Sequence, residues 1–425
     1  MKKYFLYAAG LLAIALLIGI VLQQPSLYKP CALATAICLA IGLGGVPLLK
    51  GYQYTAWIIS AVVAGMIFPE TFKNWGGVNL RDKTLILVII QLVMFGMGTH
   101  MSLKDFSGLA STGKGVLVGL FCHFSIMPLM GLLLTKVFNF EPEIAAGIIL
   151  IGSCSSGLAS NVMVYLARAN LVLSVIVTAM ATLVAPLLTP LLMKTFAGTL
   201  IKINFVDMMM EIVKIVLVPI GAALLHDFLK RATPSQKQKV YILTVLSAMW
   251  IAVVVLVLHK TINDPAMLQS INLSAFFAGA VIAGVVYNFL YRRFPSLDKI
   301  MPLISMFGII YFTTVTTAAG RDNLMKVGVL LFIASVIHNA AGYFFGYWLS
   351  RLFGMDVNSS RTIAFEVGLQ NGGMASGIAG SMGKLGTVGL AAAVFSPWMN
   401  ISGSILANYW RRKPVKENNE DKEKS

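Results

Sequence analysis

This 425-residue sequence has few charged residues, and that shortage indicates its class. Asp, Glu, Lys and Arg together make up 12% of the chain, whereas hydrophobic residues make up 57% and the mean hydropathy is +0.81. A typical soluble domain carries about 25% charged residues. The composition therefore excludes a soluble protein and indicates a chain that lies largely in a lipid bilayer.

The charges that are present are separated by intervals that match the thickness of a membrane. No charged residue occurs in the segments 4–28, 30–49, 115–135, 144–167, 169–193, 240–259, 300–320, 327–350 and 385–410. A helix of about 20 residues crosses a hydrocarbon layer of about 30 Å. When apolar spans with less clear boundaries are added, the sequence predicts an all-α polytopic membrane protein with about fourteen transmembrane helices. The short loops leave no room for a separate catalytic domain.

Motifs for catalysis and for cofactor binding are also missing. The sequence contains no HExxH, no G-x-S-x-G, no glycine-rich phosphate loop and no pair of intramembrane aspartates. Its four cysteines do not form a disulfide framework, and no Cys or His pair has metal-ligand spacing. We therefore expect neither a cofactor nor an enzyme. An intramembrane enzyme with Glu366 and a histidine as acid and base remains a remote alternative, as does a channel.

The net charge of +16 is best interpreted through the positive-inside rule. If the N-terminus is inside, the densest basic clusters, at 230–239, 292–299 and 411–424, all fall on the same side. We therefore predict a bacterial inner-membrane protein with both termini in the cytoplasm and no nucleic-acid partner. The first span is interpreted as uncleaved, because its apolar core is long and no small-x-small site follows it.

Two spans differ from the others because glycine and polar residues interrupt them. They read GSCSSGLASN at 152–161 and EVGLQNGGMASG at 366–377. Irregular backbone at membrane depth is tolerated only where it lines a cavity or is buried in protein. Close helix packing through small residues is the alternative. It does not account for the polar side chains of Asn161, Glu366, Gln370 and Asn371, so the breaks predict a binding site.

Glu366 is the only carboxylate well inside a predicted span. An ionised carboxylate costs several kcal/mol in that setting unless a cation or hydrogen bonds meet it. No Lys or Arg lies in a neighbouring predicted span at a similar depth. The sequence therefore predicts that a bound ion or a proton balances the charge of Glu366.

The two interrupted spans also look like copies of each other. Ser160 and Asn161 precede Pro186 by nearly the same interval as Gln370 and Asn371 precede Pro397. The preceding spans share a frame, since His123, Gly131 and Lys136 match His338, Gly346 and Arg351. A repeat of five helices must insert its second copy upside down, as in secondary transporters. Two discontinuous helices are then expected to cross near the midplane of the membrane.

At these residues the chain resembles the bile acid:sodium symporter family. The resemblance covers residues 53–232 and 295–411, and GSCSSGLASNVMVYLARANLVLSVIVTAMATLVAPLLTPLL and RTIAFEVGLQNGGMASGIA carry it. It implies an inverted-repeat core of ten helices, in which a panel domain and a core domain move against each other. Two further helices in 1–52 and an inserted pair in 233–294 are additions to that core, and 412–425 is a charged cytoplasmic tail. Each addition is an even number of crossings, so it leaves the core's orientation unchanged.

The resemblance also implies two sodium sites. The residues that match the first are Ser160, Asn161, Ser174, Thr178 and Glu366. The residues that match the second are His123, Glu366, Val367, Leu369 and Gln370. His123 stands where the family has glutamine, and imidazole nitrogen is a poor ligand for a hard cation such as Na⁺.

Substrate is expected where the interrupted helices cross, since helix N-termini offer partial positive charge to an anion. The predicted substrate-binding residues are Gly157, Leu158, Ser160, Asn371, Gly372 and Gly373. Leu158 stands where relatives have a threonine hydroxyl. The sequence as a whole predicts a sodium-coupled symporter of a small organic anion that works by alternating access. A carrier that exchanges its solute or couples it to protons, with Glu366 and His123 titrating, is the alternative.

Overall fold

The computed structural model describes residues 2–46, 49–104, 109–413 and 415, and these form helices almost throughout. In chain order the helices are α1 Tyr4–Val21, α2 Pro25–Leu43, α3 Gln53–Ile67, α4 Lys83–Gly98, α5 Leu109–Phe138, α6 Pro142–Ser153, α7 Ala159–Leu166, α8 Leu171–Ala197, α9 Phe205–Ile212, α10 Val218–Arg231, α11 Pro234–Val253, α12 His259–Thr261, α13 Pro265–Arg293, α14 Leu297–Ala319, α15 Arg321–Leu352, α16 Val357–Gly368, α17 Gly372–Ser381 and α18 Leu390–Arg411. A hairpin of two short strands, β1 Asn74–Trp75 and β2 Val78–Asn79, precedes α4.

Ten helical spans in the described part of the chain are long and apolar enough to cross a membrane. Two of them contain a π-helical turn, which joins α9 to α10 at Val213–Leu217 and α11 to α12 at Val254–Leu258. Three shorter apolar helices, α3, α4 and α6, add to these spans. The prediction of an all-α polytopic membrane protein is confirmed. The predicted tail from residue 416 onward lies outside the described residues.

The two spans with polar interruptions are each broken into two helices. α6 ends at Ser153, Cys154 is extended, and α7 begins at Ala159. α16 ends at Gly368, Leu369 is extended, and α17 begins at Gly372. Asn371 caps α17 by accepting a hydrogen bond from the amide of Met374 at 2.9 Å, which explains why the helix restarts there.

The two breaks pair with each other through their backbones. The amide of Gly157 donates to the carbonyl oxygen of Leu369 at 2.9 Å, and the amide of Asn371 donates to that of Ser155 at 2.8 Å. These two bonds surround a single antiparallel bridge between Ser156 and Gln370. They satisfy peptide groups that have no helical partner and no access to bulk water, as a membrane interior requires.

The bridge corrects the residue equivalence expected between the two halves. The sequence comparison aligned Ser160 and Asn161 with Gln370 and Asn371, whereas the symmetric pair of backbone bonds places Ser156 opposite Gln370. The reason is that Asn371 lies before α17 as its cap, while Asn161 lies inside the first turn of α7. The two asparagines therefore occupy different positions relative to the starts of their half-helices.

The helices outside the matched segments lie beside the predicted core. α1 and α2 pack on each other and α2 packs on α3, while α13 packs on α10 and α11. Gly284 of α13 allows a close approach to α10, because a Cβ at that position would lie 2.6 Å from the carbonyl oxygen of Ala222. The division of the chain at residues 52, 232, 294 and 411 stays a prediction, although helix ends fall near each boundary.

Candidate cation and anion site at the helix crossing

Glu366 lies in the last turn of α16 and its side chain is fully buried. Two hydroxyl groups of α8 donate to its carboxylate. Ser174 Oγ is 2.5 Å from Oε1 and Thr178 Oγ1 is 2.8 Å from Oε2. These residues are four positions apart, so they lie on the same face of α8 and reach both carboxylate oxygens at once.

The side-chain oxygen of Asn161 lies beside the same two hydroxyls. Ser174 Oγ is 2.6 Å and Thr178 Oγ1 is 3.2 Å from Asn161 Oδ1. Ser160 Oγ is 3.4 Å from Thr178 Oγ1, and it also donates to the carbonyl oxygen of Gly157 at 2.8 Å. The structure thus brings all five residues of the first predicted cation site together, from three separate helices.

Local contacts fix the face of α8 that carries these hydroxyls. Asn170 caps the helix by accepting a hydrogen bond from the amide of Leu173 at 3.1 Å. Thr362 of α16 both accepts from the amide of Asn170 at 3.0 Å and donates to its carbonyl oxygen at 3.2 Å. The start of α8 is therefore tied to the helix that carries Glu366, which holds the two halves of the cluster in register.

No lysine, arginine or histidine in the described part of the chain forms an ion pair with Glu366. Arg361, on the same helix, instead stacks on Trp410, with its guanidinium carbon 5.5 Å from the ring centroid. The Glu366 carboxylate is therefore met by neutral donors alone. Five oxygen-bearing side chains with a single negative charge form a donor set that suits a hard monovalent cation.

Ser156 belongs to this cluster, and the sequence-based site did not include it. Its hydroxyl is buried, donates to Ser160 Oγ at 3.2 Å and lies 3.4 Å from the carbonyl oxygen of Leu369. The signal that could have found it is its position at the centre of the Gly/Ser-rich break. Its partner across the bridge is Gln370.

His123 contacts the backbone of the crossing rather than the carboxylate. Its ring is fully buried, with Nδ1 2.9 Å from the carbonyl oxygen of Glu366 and Nε2 2.8 Å from that of Cys154. These carbonyls lie at the C-terminal ends of α16 and α6, where the helix dipoles are negative. The imidazole thus links α5 to both breaks.

The other residues of the second predicted cation site also have partners within the chain. The carbonyl oxygen of Val367 accepts from Gln370 Nε2 at 2.6 Å, and that of Leu369 accepts from the amide of Gly157 at 2.9 Å. Gln370 Oε1 is buried and has no hydrogen-bond partner among the described residues. The residues of the second predicted cation site thus lie together at the crossing, but the carbonyl oxygens of Val367 and Leu369 already accept hydrogen bonds from the protein.

The predicted substrate residues lie at the N-terminal ends of α7 and α17. Asn371 uses its side-chain oxygen as the cap of α17, and its Nδ2 group is buried without a partner among the described residues. Leu158 occupies the corresponding position before α7 and provides no side-chain cap. Gly157, Ser160, Gly372 and Gly373 complete the set around these two residues. Two helix N-termini and an unused amide donor can together receive an anion.

Two comparisons with known proteins identify the same family. The model of the Sodium Bile acid symporter family matches residues 86–263. An uncharacterized sodium-dependent transporter of Bacillus subtilis, YocS, is 30% identical over 369 residues, which is 86% of this chain and 93% of the Bacillus protein.

Two eukaryotic proteins are similar over most of the chain as well. The probable chloroplastic sodium/metabolite cotransporter BASS1 of Arabidopsis thaliana is 27% identical over 365 residues, 86% of this chain and 74% of the plant protein. The human ileal sodium/bile acid cotransporter is 28% identical over 312 residues, 72% of each chain.

Proposed function

Because the chain belongs to the sodium bile acid symporter family, whose members are sodium-dependent transporters, we propose that it imports a small organic anion together with Na⁺. The relatives are named transporters and cotransporters, which favours transport over catalysis. Their names also mention bile acid and metabolite substrates, which supports an organic solute. The anionic class of the solute is our own inference from the crossing.

The observation that carries the proposal is the buried Glu366 carboxylate surrounded by the side-chain oxygens of Ser160, Asn161, Ser174 and Thr178. Binding of Na⁺ there would neutralise a charge that otherwise costs several kcal/mol in a low-dielectric interior. It would also join α7, α8 and α16, so the ion would stabilise the crossing. Anion binding beside it would then be favoured when the ion is present, which is the thermodynamic basis of symport.

We infer a coupling of one Na⁺ ion per transport cycle. The imidazole of His123 lies against the carbonyl oxygens of Glu366 and Cys154 and in its neutral form donates to one of them, and the Val367 and Leu369 carbonyls already accept hydrogen bonds. A second Na⁺ would need several of these oxygens, and imidazole does not replace the oxygen of a glutamine as a ligand. These contacts support one functional cation site at Glu366.

The solute is proposed to bind at the N-termini of α7 and α17, close to the cation. The Nδ2 group of Asn371 would pair with a carboxylate or sulfonate oxygen, which would remove the cost of a buried donor without a partner. Partial positive charge of the two helix ends would add to this attraction. No basic side chain is needed in such a site.

Transport would proceed by alternating access at this single site in a bacterial inner membrane, with both termini in the cytoplasm. The basic residues at the cytoplasmic ends of helices, including Lys230 and Arg231 of α10 and Arg292 and Arg293 of α13, support that orientation.

Counterflow of labelled solutes in proteoliposomes tests the proposed function. A screen of organic anions by thermal shift, with and without Na⁺, would first supply the solute, because a ligand that binds the native state raises its stability. A symporter exchanges the labelled solute and accumulates it under a Na⁺ gradient. Leakage without exchange would indicate a channel, chemical conversion an enzyme, and accumulation driven by a pH gradient without Na⁺ the proton-coupled carrier.

A further inference from the structure

A polar pocket of about 540 Å³ lies between the start of α4 and the segment that follows α17, at the end of the protein that the proposed topology places outside. The charged residues that line it are Arg81, Glu143 and Lys384. Lys384 forms an ion pair with Glu143. The lining therefore carries one excess positive charge, and this charge belongs to Arg81.

The guanidinium of Arg81 has unused hydrogen-bonding capacity. Its Nε and Nη2 atoms are shielded from solvent and have no hydrogen-bond partner among the described residues. Burial lowers the pKa of this guanidinium and nearby Glu70 opposes that effect, but an arginine remains charged at neutral pH. A buried charged donor without a partner is destabilising, so a ligand that supplies acceptors would be favoured.

Hydrogen bonds hold the backbone around Arg81 firmly. The Arg81 amide donates to Asn79 Oδ1 at 2.9 Å, and Tyr311 donates to the carbonyl oxygen of Leu80 at 2.5 Å. Asp82 caps α4 by accepting from the amides of Thr84 and Leu85 at 2.9 and 3.1 Å. The backbone thus holds the Arg81 side chain at a fixed point in the lining of the pocket.

Tight packing of α4 against α17 separates this pocket from the helix crossing. A Cβ at Gly380 would lie 2.7 Å from the side chain of Ile86, and a Cβ at Gly377 would lie 2.6 Å from that of Ile90. Ile86 and Gly380 also line the pocket, whereas α17 begins at the crossing. The pocket therefore lies at the outer end of the contact that must open before a solute from outside reaches Asn371.

We propose that the pocket at Arg81 is an outer docking site for an organic anion, bound through its carboxylate or sulfonate group before the α4–α17 contact opens. This inference rests on the proposed function for the class of its ligand. The planar guanidinium matches the paired oxygens of a carboxylate or sulfonate, and such bonds are strong because both partners are charged. Because Lys384 and Glu143 in the lining pair with each other, Arg81 is the group that provides the attraction.

Chemical modification with phenylglyoxal, which reacts with arginine, tests the docking site on the full chain. The protein is placed in nanodiscs of neutral phosphatidylcholine, and modification of each arginine is followed by mass spectrometry. Potassium hexanoate or potassium ethanesulfonate is titrated as the probe, with potassium chloride as the control salt. Arg293 is exposed at the cytoplasmic end of α13 and serves as the internal control.

Without an organic anion Arg81 should react more slowly than the exposed Arg293, because two of its guanidinium nitrogens are shielded from solvent. Its reaction should slow about tenfold further when the probe reaches about ten times its dissociation constant. Arg293 should react at an unchanged rate. Failure of Arg81 to react, equal rates with and without the probe, or equal protection by chloride would each overturn the proposal. Protection in nanodiscs that contain phosphatidylglycerol, without any added probe, would overturn it in favour of a lipid headgroup.

Two variants separate this inference from the transport proposal. Glu366→Gln should keep the protection of Arg81 while losing the stabilisation by Na⁺, since the two sites share no residue. Arg81→Gln should keep the Na⁺ stabilisation, which also shows that the variant folds, and should lose any stabilisation by potassium ethanesulfonate at the pocket. Unprotected Arg81 in a protein that still performs Na⁺-dependent counterflow would reject the docking site and leave the transport function intact.

Discussion

Nδ1 of His123 lies 2.9 Å from the backbone carbonyl oxygen of Glu366, the residue whose carboxylate belongs to the candidate cation site. The histidine therefore acts on the backbone of the break and not on the charge itself. Its second nitrogen lies 2.8 Å from the carbonyl oxygen of Cys154 at the other break. A change at residue 123 should alter the ion site through these two carbonyls.

The wild-type protein should transport its solute with a Hill coefficient for Na⁺ of about one. His123→Gln should raise that coefficient toward two, because the amide side chain adds a carbonyl oxygen as a cation ligand where imidazole offers only nitrogen. Uptake measured against Na⁺ concentration gives both values. His338→Gln is the matched control, since His338 also contacts a carbonyl oxygen, that of Met127 at 3.0 Å, and forms no hydrogen bond with Glu366 among the described residues. A wild-type coefficient near two would contradict the single site.

Na⁺ should stabilise the protein against heat, and K⁺ should not. At about 100 times the dissociation constant the gain is about 2.7 kcal/mol. Glu366→Gln keeps the shape of the side chain but removes its charge, so the Na⁺ shift and concentrative uptake should both disappear. Glu211→Gln, which changes an acid paired with Lys214 at 2.8 Å, should leave both unchanged. Equal stabilisation by K⁺ would argue against the assignment.

Ser174→Ala and Thr178→Val should each weaken Na⁺ binding by about tenfold, because each removes one oxygen ligand beside the carboxylate. Thr195→Val is a control on the same helix, since Thr195 is exposed and donates to the carbonyl oxygen of Leu191 at 2.8 Å. Titration of the thermal shift with Na⁺ gives the affinities. An affinity that stays unchanged in both site variants would exclude these hydroxyls as ligands.

Asn371→Asp should abolish uptake of an anionic solute while Na⁺ still stabilises the protein. Aspartate caps a helix as well as asparagine does, so α17 should persist, but its charge would repel an anion at the crossing. Asn204→Asp makes the same change at the cap of α9, away from the crossing, and should have little effect. Normal uptake by the Asn371 variant would mean that the anion binds elsewhere.

Deletion of residues 4–50 should preserve stabilisation by Na⁺, provided that the shortened protein inserts into the membrane. Of the removed helices, α1 packs on α2 and α2 packs on α3, and neither contributes a candidate ligand. Size-exclusion chromatography and the thermal shift with Na⁺ provide the measurements. A folded deletion variant that no longer responds to Na⁺ would show that these helices complete the site.

The transmembrane character and the position of the acid could be read from the sequence, because both are local properties. Within a bilayer a helix satisfies its own backbone hydrogen bonds, so a stretch of about 20 uncharged residues is enough to predict a span. Glu366 was recognisable for a similar reason. A carboxylate within such a stretch has a desolvation cost that can be inferred without knowing which residues contact it. The helical spacing of Ser174 and Thr178 likewise predicted a shared face.

The tertiary structure decided which residues contact the face of α8 that carries Ser174 and Thr178. Ser174 and Glu366 are 192 residues apart, and the sequence placed them together only through a family resemblance. The register of the crossing, with Ser156 opposite Gln370, depends on two backbone bonds between distant segments and contradicted the alignment of similar letters. The contact of His123 with two carbonyl oxygens was equally hidden, because backbone atoms are the same in every residue and leave no trace in the sequence.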